Sequence, residues 1–161
     1  LEIWETDWRY WYMFEPHHYL KLPKMIAARC YVGAVDGEPV CHVAVSPAFQ
    51  NNGFRAARLV VMPEWQGAGV GIRFLNAVCA GNLDGKNKWN KKLPTFFHTS
   101  HPGLCAALRR DKSWIQCSSS LFGVDKAKSR KSIMKSIGGS GVGYGGHFRA
   151  VQGFKYIGVS A

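Results

Sequence analysis

Between Arg58 and Arg73 the chain reads Arg-Leu-Val-Val-Met-Pro-Glu-Trp-Gln-Gly-Ala-Gly-Val-Gly-Ile-Arg, and the chemistry this permits is the binding of an anion. An apolar strand, Leu59 to Met62, is stopped by Pro63, which supplies no backbone donor. Glycines at 67, 69 and 71 allow a sharp turn and a close approach of N–H groups to a ligand. An amphipathic run from Ile72 to Ala80 then predicts a helix, whose first N–H groups and dipole favour negative charge. Strand, glycine turn and helix start together make a seat for a phosphate, most simply a pyrophosphate.

Familiar nucleotide loops fit poorly. A Walker loop ends Gly-Lys-Ser/Thr, whereas Gly71 is followed by Ile72 and Arg73. The dinucleotide fingerprint Gly-x-Gly-x-x-Gly differs from the Gly-x-Gly-x-Gly found here. A bare helix start does not need three closely spaced glycines, each of which weakens a helix.

Several other residues carry chemistry. His17-His18-Tyr19 opens the loop behind an aromatic segment, Asp7 to Phe14, that contains Trp8, Trp11, Tyr12 and Phe14. Ser100 and His101 follow a short apolar strand, Thr95 to Thr99, and His98 alternates with Phe97 so that it points away from it. His42 lies in an apolar strand and reads as a core or interface histidine. The cysteines (Cys30, Cys41, Cys79, Cys105, Cys117) have no Cys-x-x-Cys spacing and sit among small apolar neighbours, so they read as buried hydrophobes. No spacing indicates a metal site, although none is excluded.

Lys and Arg number 21 against 10 acids, a net charge of +11, which points to a polyanionic partner. Basic residues cluster in 86–92, where Lys88 and Trp89 adjoin, and in 126–135, with Lys128, Arg130 and Lys131. These lysines could track phosphates, with Trp89 and Tyr144 as stacking groups. Arg55 and Arg58 lead into the central strand and could face an acceptor. A cationic substrate such as a polyamine would want an acidic pocket, for which the chain offers little.

The elements needed to position these residues can be read in order. Residues 30–46 form a hairpin about Asp36-Gly37. The motif-bearing strand begins near Ala56, its helix runs to about Ala80, and Gly81 to Lys92 is a polar loop. After the strand Thr95–Thr99, Pro102 starts a second helix to about Arg110. Trp114–Cys117 and Phe148–Val159 are the last strands. Residues 118–147, rich in Lys, Arg and Gly, read as a mobile insertion between them. At 161 residues this is one domain with a core of its own. No membrane span or signal peptide is visible, and the reduced cysteines suit the cytoplasm. The lack of an initiator Met suggests a domain cut from a longer chain, so the expected partners include a missing domain or, separately, a second copy in a homodimer.

Gln66-Gly67-Ala68-Gly69-Val70-Gly71, with its strand-Pro-x-x lead-in, resembles motif A of the GNAT N-acetyltransferases, Gln/Arg-x-x-Gly-x-Gly/Ala. The element order is similar over most of the chain. The resemblance implies an α/β (α+β) fold: a mixed, mostly antiparallel sheet with splayed middle strands flanked by helices. It also implies acetyl-CoA or another acyl-CoA as donor, with Val60 and Val61 offering backbone groups to the pantetheine. Gln66, Gly67, Ala68, Gly69, Val70, Gly71, Ile72 and Arg73 would hold the pyrophosphate. Ser100 and His101 would lie nearest the thioester, and His18 and Tyr19 beside the acceptor. The family's usual acidic Tyr is replaced by Leu108.

Phe14-Glu-Pro-His-His-Tyr-Leu20, Thr99-Ser-His-Pro-Gly-Leu104 and Phe154-Lys-Tyr-Ile-Gly158 resemble a narrower branch. It comprises domains joined to ABC-type ATPases and the related phage Mom proteins, which modify adenine in DNA. That branch implies a nucleobase acceptor, with DNA favoured over tRNA. Acetylation of aminoacyl-tRNA, a protein amine as acceptor, and a non-catalytic nucleic-acid-binding or acyl-CoA-sensing module are the alternatives.

Overall fold

A computed structural model describes residues 1–122 and 149–158. Seven strands form one sheet in the order β1-β2-β3-β4-β5-β7-β6: β1 Glu2–Thr6, β2 Arg29–Val35, β3 Glu38–Ala48, β4 Gly53–Val61, β5 Thr95–Thr99, β6 Trp114–Phe122 and β7 Arg149–Tyr156. Every neighbouring pair is antiparallel except β4 with β5. This is the mixed, mostly antiparallel sheet that the resemblance implied. The hairpin turns at Asp36-Gly37, as its sequence predicts.

Adjacent strand residues enter different cores, which shows how the two faces are covered. Tyr31, Leu59 and Val61 join a cluster with Phe74, Leu75, Val78 and Leu108, from helices α2 (Val70–Asp84) and α3 (Pro102–Arg110). Their neighbours Val32 and Val60 join Trp11 and Phe14 on the opposite face. There the aromatic segment forms a 3₁₀ turn (Trp8–Tyr10), the short helix α1 (Trp11–Phe14) and a second 3₁₀ turn (Glu15–His17). Pro16 therefore lies inside a helical turn instead of ending one. Its ring removes a donor that has no acceptor there.

Several boundaries move. β1 has no counterpart in the sequence reading; its charged, half-exposed residues pair along β2, with Glu5 accepting from Arg29 Nε at 2.8 Å and from Tyr31 Oη at 3.0 Å. β4 begins at Gly53 because Phe54, Arg55 and Ala56 pair in parallel with Thr95, Phe96 and Phe97. β6 continues through Phe122 on β7, so residues 118–122 belong to the sheet. The rest of the expected insertion, with Lys128, Arg130, Lys131 and Tyr144, lies outside the described residues. Four cysteines are buried as expected, but Cys117 is exposed on β6.

His42 is a core histidine. It is fully buried, with the rings of Trp8, Trp11 and Phe14 centred 5.0–6.0 Å away. Burial pushes its pKa down to about 4, opposed by the Arg58 carbonyl and assisted by nearby His18. In the unfolded chain it titrates near 6.5, so between pH 6.5 and 4 the unfolded state binds more protons and stability falls as pH falls. The loss attributable to this residue approaches about 3 kcal/mol. Denaturant titrations from pH 7 to pH 4 are expected to show it, and His42→Leu to flatten that slope.

Candidate functional site

The site is set by where β4 and β5 part. Their parallel ladder ends at Ala56–Phe97, after which β4 continues to Val61 and β5 to Thr99 without pairing to each other. The splay of the middle strands is thus present. At the same point β4 bulges: Ala57 and Val60 face Ala44 and His42, so Arg58 and Leu59 together stand opposite Val43. Arg58 has φ 57°, a left-handed conformation that costs a non-glycine residue on the order of 1–3 kcal/mol and persists only where the surroundings fix it. Two contacts do so. The His42 ring nitrogen Nδ1 lies 3.3 Å from the Arg58 carbonyl, and Arg58 Nη2 donates to Pro23 O at 3.3 Å. The first requires His42 to carry its proton on Nδ1, which leaves the buried Nε2 without a partner.

Beyond the bulge, Met62 N–H donates back to Val40 O. By strand alternation Val61 turns its backbone groups to the opposite side, where Gln66 Nε2 donates to Val61 O at 2.9 Å. Gln66 N–H is also used, on Pro63 O. Gln66 therefore ties the turn to the strand.

The anion seat itself is the head of α2. The helix begins at Val70, two residues earlier than the sequence suggests, with Gly69 (φ 75°) as its N-cap and no capping side chain. Arg73 N–H makes the first helical bond, to Gly69 O. The N–H groups of Val70, Gly71 and Ile72 thus have no acceptor within the helix. Gly67 and Gly69 adopt left-handed conformations, and a Cβ on either would meet nothing within 4 Å. Gly71 serves a different purpose: it lies inside the first helical turn, where a Cβ would come within 2.8 Å of Val61 Cγ2. Its lack of a side chain lets α2 start hard against the end of β4. Gly67, Ala68, Gly69 and Arg73 are exposed, so the head of the helix is accessible. An acyl-CoA fits this arrangement: donors and a dipole for the diphosphate, with a gap between strands beside them.

The N-terminal loop reaches the same region. His18 is buried against Trp11 and Tyr19, with Nδ1 2.6 Å from Leu20 O. Leu20 N–H also lies 3.3 Å from Nδ1, but the much shorter contact to the carbonyl favours the proton on Nδ1, leaving Nε2 as a lone-pair acceptor. Burial holds its pKa below the ordinary value, with the Leu20 carbonyl opposing and Arg58 and Lys21 adding to the effect. Tyr19 is 69% exposed, and its electrostatic interaction with Arg58 places both beside the bulge. Sequence reasoning paired His18 and Tyr19 with the acceptor side, and the structure brings them to Arg58.

His101 is placed otherwise. Its Nδ1 accepts from Leu104 N at 3.2 Å as the N-cap of α3, which commits that nitrogen to holding the helix. Ser100 is half-buried just before it, following Thr99, whose hydroxyl accepts from His101 N–H. Leu108, in the place of the usual Tyr, is fully buried in the helix-side core.

Trp89 and Lys88 do not adjoin the site. Their loop enters β5 at Thr95, at the start of the parallel strands, whereas the glycine turn follows their far end. Seven strand steps separate Phe54 from Val61, roughly 23 Å. Trp89 packs on Phe54, ring centres 5.2 Å apart, at the edge of the core. It is a packing residue and not a free stacking group. Lys88 is exposed on the same loop.

His98 projects from β5 on the face opposite Phe97, as its alternation predicts, with its pKa lowered by burial and by Arg55. Sequence reasoning gave it no role, and it missed the bulge contact from His42, because no local pattern links positions 42 and 58. Among the described residues there is no cluster of three or more His, Cys, Asp or Glu able to hold a metal, and no helix long and apolar enough to cross a membrane.

No protein-family model and no curated protein matches the chain. Solved structures do. The ribosomal-protein-S18-alanine N-acetyltransferase from Escherichia coli superposes with a TM-score of 0.63, at 8% identity, over 99% of this chain and 97% of that one. A chimeric spermidine N-acetyltransferase from Vibrio cholerae gives 0.53 at 12% identity, over 81% and 67%. A GNAT family acetyltransferase from Elizabethkingia anophelis, solved with acetyl-CoA bound, gives 0.50 at 16% identity, over 83% and 77%. The fold is that of the GNAT acetyltransferases.

Proposed function

We propose that the chain is an acyl-CoA-dependent N-acyltransferase, with acetyl-CoA the simplest donor, acting on an amine carried by nucleic acid. One observation carries the transfer reading: β4 and β5 diverge after Ala56–Phe97, and the same β4 ends in an uncapped, glycine-headed α2. Val70, Gly71 and Ile72 N–H groups hold the diphosphate, and Arg73 on the first turn adds charge. The freed edge of β4, near Val60 and Val61, lies alongside the pantetheine. Bound there, the coenzyme A thioester supplies an electrophilic acyl carbon.

The chain's own residues then orient the acceptor and move its proton. Arg58, fixed in the bulge, borders the gap with Tyr19. His18, neutral at pH 7, presents Nε2 as the proton acceptor for the attacking amine. Tyr19, coupled to Arg58, and Ser100, just past the end of β5, carry the hydroxyls that return a proton to the departing thiolate. His101 acts by capping α3.

The charge of +11 supports a nucleic-acid acceptor, and the short resemblances to the Mom-like branch favour adenine in DNA. The adenine N6 lone pair is delocalised, so its acylation depends on tight placement and on a base lifted from its stack. The test is incubation with isotopically labelled acetyl-CoA and DNA, followed by mass spectrometry of the nucleosides. A labelled deoxyadenosine is the expected product. Label on aminoacyl-tRNA or on a protein amine would move the acceptor assignment to that class. Absence of transfer to every acceptor, with a range of acyl-CoA donors, would overturn the enzyme reading.

A further inference from the structure

The sheet carries a second feature, on the face away from α2 and α3. Register places Arg55 beside Phe96, Phe96 beside Lys155 and Lys155 beside Ile115, one continuous row across β4, β5, β7 and β6. The next row begins with His98 opposite Gly153, which in turn faces Ser118. Side chains paired in register point the same way, so all of these project from one face. That face is the one opposite Phe97 and Phe154, which belong to the helix-side core.

Its chemistry is one-sided. β4, β5, β6 and β7 contain no Asp or Glu. The described acids sit on β1, the N-terminal turns, the β2–β3 hairpin and around α2 and α3. Arg55, Ser118 and Ile115 are exposed, Ile115 by 50%, and Phe96, Lys155 and His98 are half-buried. Lys155 Nζ lies over the Phe96 ring, 5.9 Å from its centre, a cation–π contact whose flexible stem can swing aside to admit a base while keeping the charge next to it. Gly153 leaves the second row low, because any Cβ there would collide with the His98 imidazole and the Ser118 hydroxyl that cover it.

We propose that this row, Arg55–Phe96–Lys155–Ile115 with His98 and Ser118 beside it, is a docking platform for a single-stranded stretch of nucleic acid. The inference rests on the nucleic-acid reading above and names the surface that would serve it. An aromatic ring flanked by two cations suits a base stacked on the ring with phosphates on either side. A paired, stacked duplex cannot present a base face in that way. Position supports the assignment: Phe96 is one pair short of the last β4–β5 contact, so the platform lies at the foot of the gap. His98 is two residues farther on, roughly 7 Å along the strand. A base lifted onto Phe96 has its neighbour within reach of the diverging strands.

The test measures binding of a short oligothymidylate, which has no adenine to modify, by fluorescence anisotropy at several salt concentrations. Coenzyme A binding is measured separately by thermal shift on the same proteins. Arg55→Glu and Lys155→Glu are each expected to weaken oligothymidylate binding at least about tenfold and to lower the salt slope by about one. Phe96→Leu, which keeps the bulk beside Gly53, is expected to weaken it about fivefold or more with the slope unchanged. Lys155→Arg is expected to retain binding, and all four variants to keep the coenzyme A response. Unaltered oligothymidylate affinity in Lys155→Glu and Phe96→Leu would overturn the platform, as would tighter binding of an acidic peptide than of oligothymidylate. Loss of the coenzyme A response in wild type, with the expected oligothymidylate losses intact, would remove the donor reading and leave the platform standing.

Discussion

Gly69→Glu is expected to eliminate the thermal response to acetyl-CoA while leaving a folded protein. At about 100 times its Kd the donor should stabilise the wild type by roughly 2.7 kcal/mol. The variant should show no shift at the same concentration. Two magnitudes make this result informative. A side chain at position 69 meets nothing within 4 Å, so its structural cost is confined to the left-handed φ of 75°, about 1–2 kcal/mol. A carboxylate about 5 Å from a phosphate charge, at an effective dielectric near 20, opposes binding by about 3 kcal/mol for each charge. It also occupies the approach to the N–H groups of Val70, Gly71 and Ile72. Circular dichroism separates the two effects, because the native spectrum should persist. Gly69→Ala supplies the control: it carries the same backbone penalty without the charge and should keep most of the shift.

His18→Phe should reduce turnover by about 10²–10³-fold with little change in donor affinity. Phenylalanine retains a ring against Trp11 and Tyr19 but has no nitrogen to accept a proton. The pH profile provides the more specific readout. Burial lowers the His18 pKa below 6.5, so its neutral form persists to lower pH than an ordinary histidine's would. In the wild type the rate should hold from neutrality downwards and then fall tenfold per unit below that depressed pKa, as the imidazolium loses its lone pair. The variant should lose this acid limb. A pH profile left unaltered by the substitution would assign the proton to another group, and His98, also depressed by burial, is the next to test.

How much of this was legible in the sequence follows from how local each cause is. The glycine turn could be read because left-handed conformations and helix starts are decided by a few consecutive residues. The hairpin at Asp36-Gly37, the strand Thr95–Thr99 and the helix from Pro102 were legible for the same reason. Even there, Gly71 was read as part of the turn, because its actual constraint is Val61, ten residues away. The start of β4 was misplaced since parallel pairing with Thr95–Phe97 defines it, and no local signal carries that pairing. Trp89 looked like an exposed stacking group until Phe54 was found beneath it. The bulge at Arg58 and the row from Arg55 to Ile115 join residues far apart in the chain, so only the sheet register discloses them.

Electrostatics divide the molecule in a way composition alone could not. From the sequence, the charge of +11 is assigned to basic clusters at 86–92 and 126–135, with no view of which face of the fold is short of acids. In the structure the described carboxylates gather on β1, the turns and the helix ends, and strands β4 to β7 are left without any. Arg55 and Lys155 thus stand on strands that carry no carboxylate of their own, a circumstance in which a few cations attract a polyanion effectively. The basic loop at 86–92 is distant from the gap, and Lys86 there already faces Asp84 at 3.3 Å.

The most direct test is a titration of isotopically labelled protein with coenzyme A, followed through backbone amide resonances. The largest shifts are expected at Gly69, Val70, Gly71 and Ile72, with pantetheine lacking the diphosphate leaving those four nearly unmoved. Shifts absent from this segment, or equal with the two ligands, would contradict the anion seat.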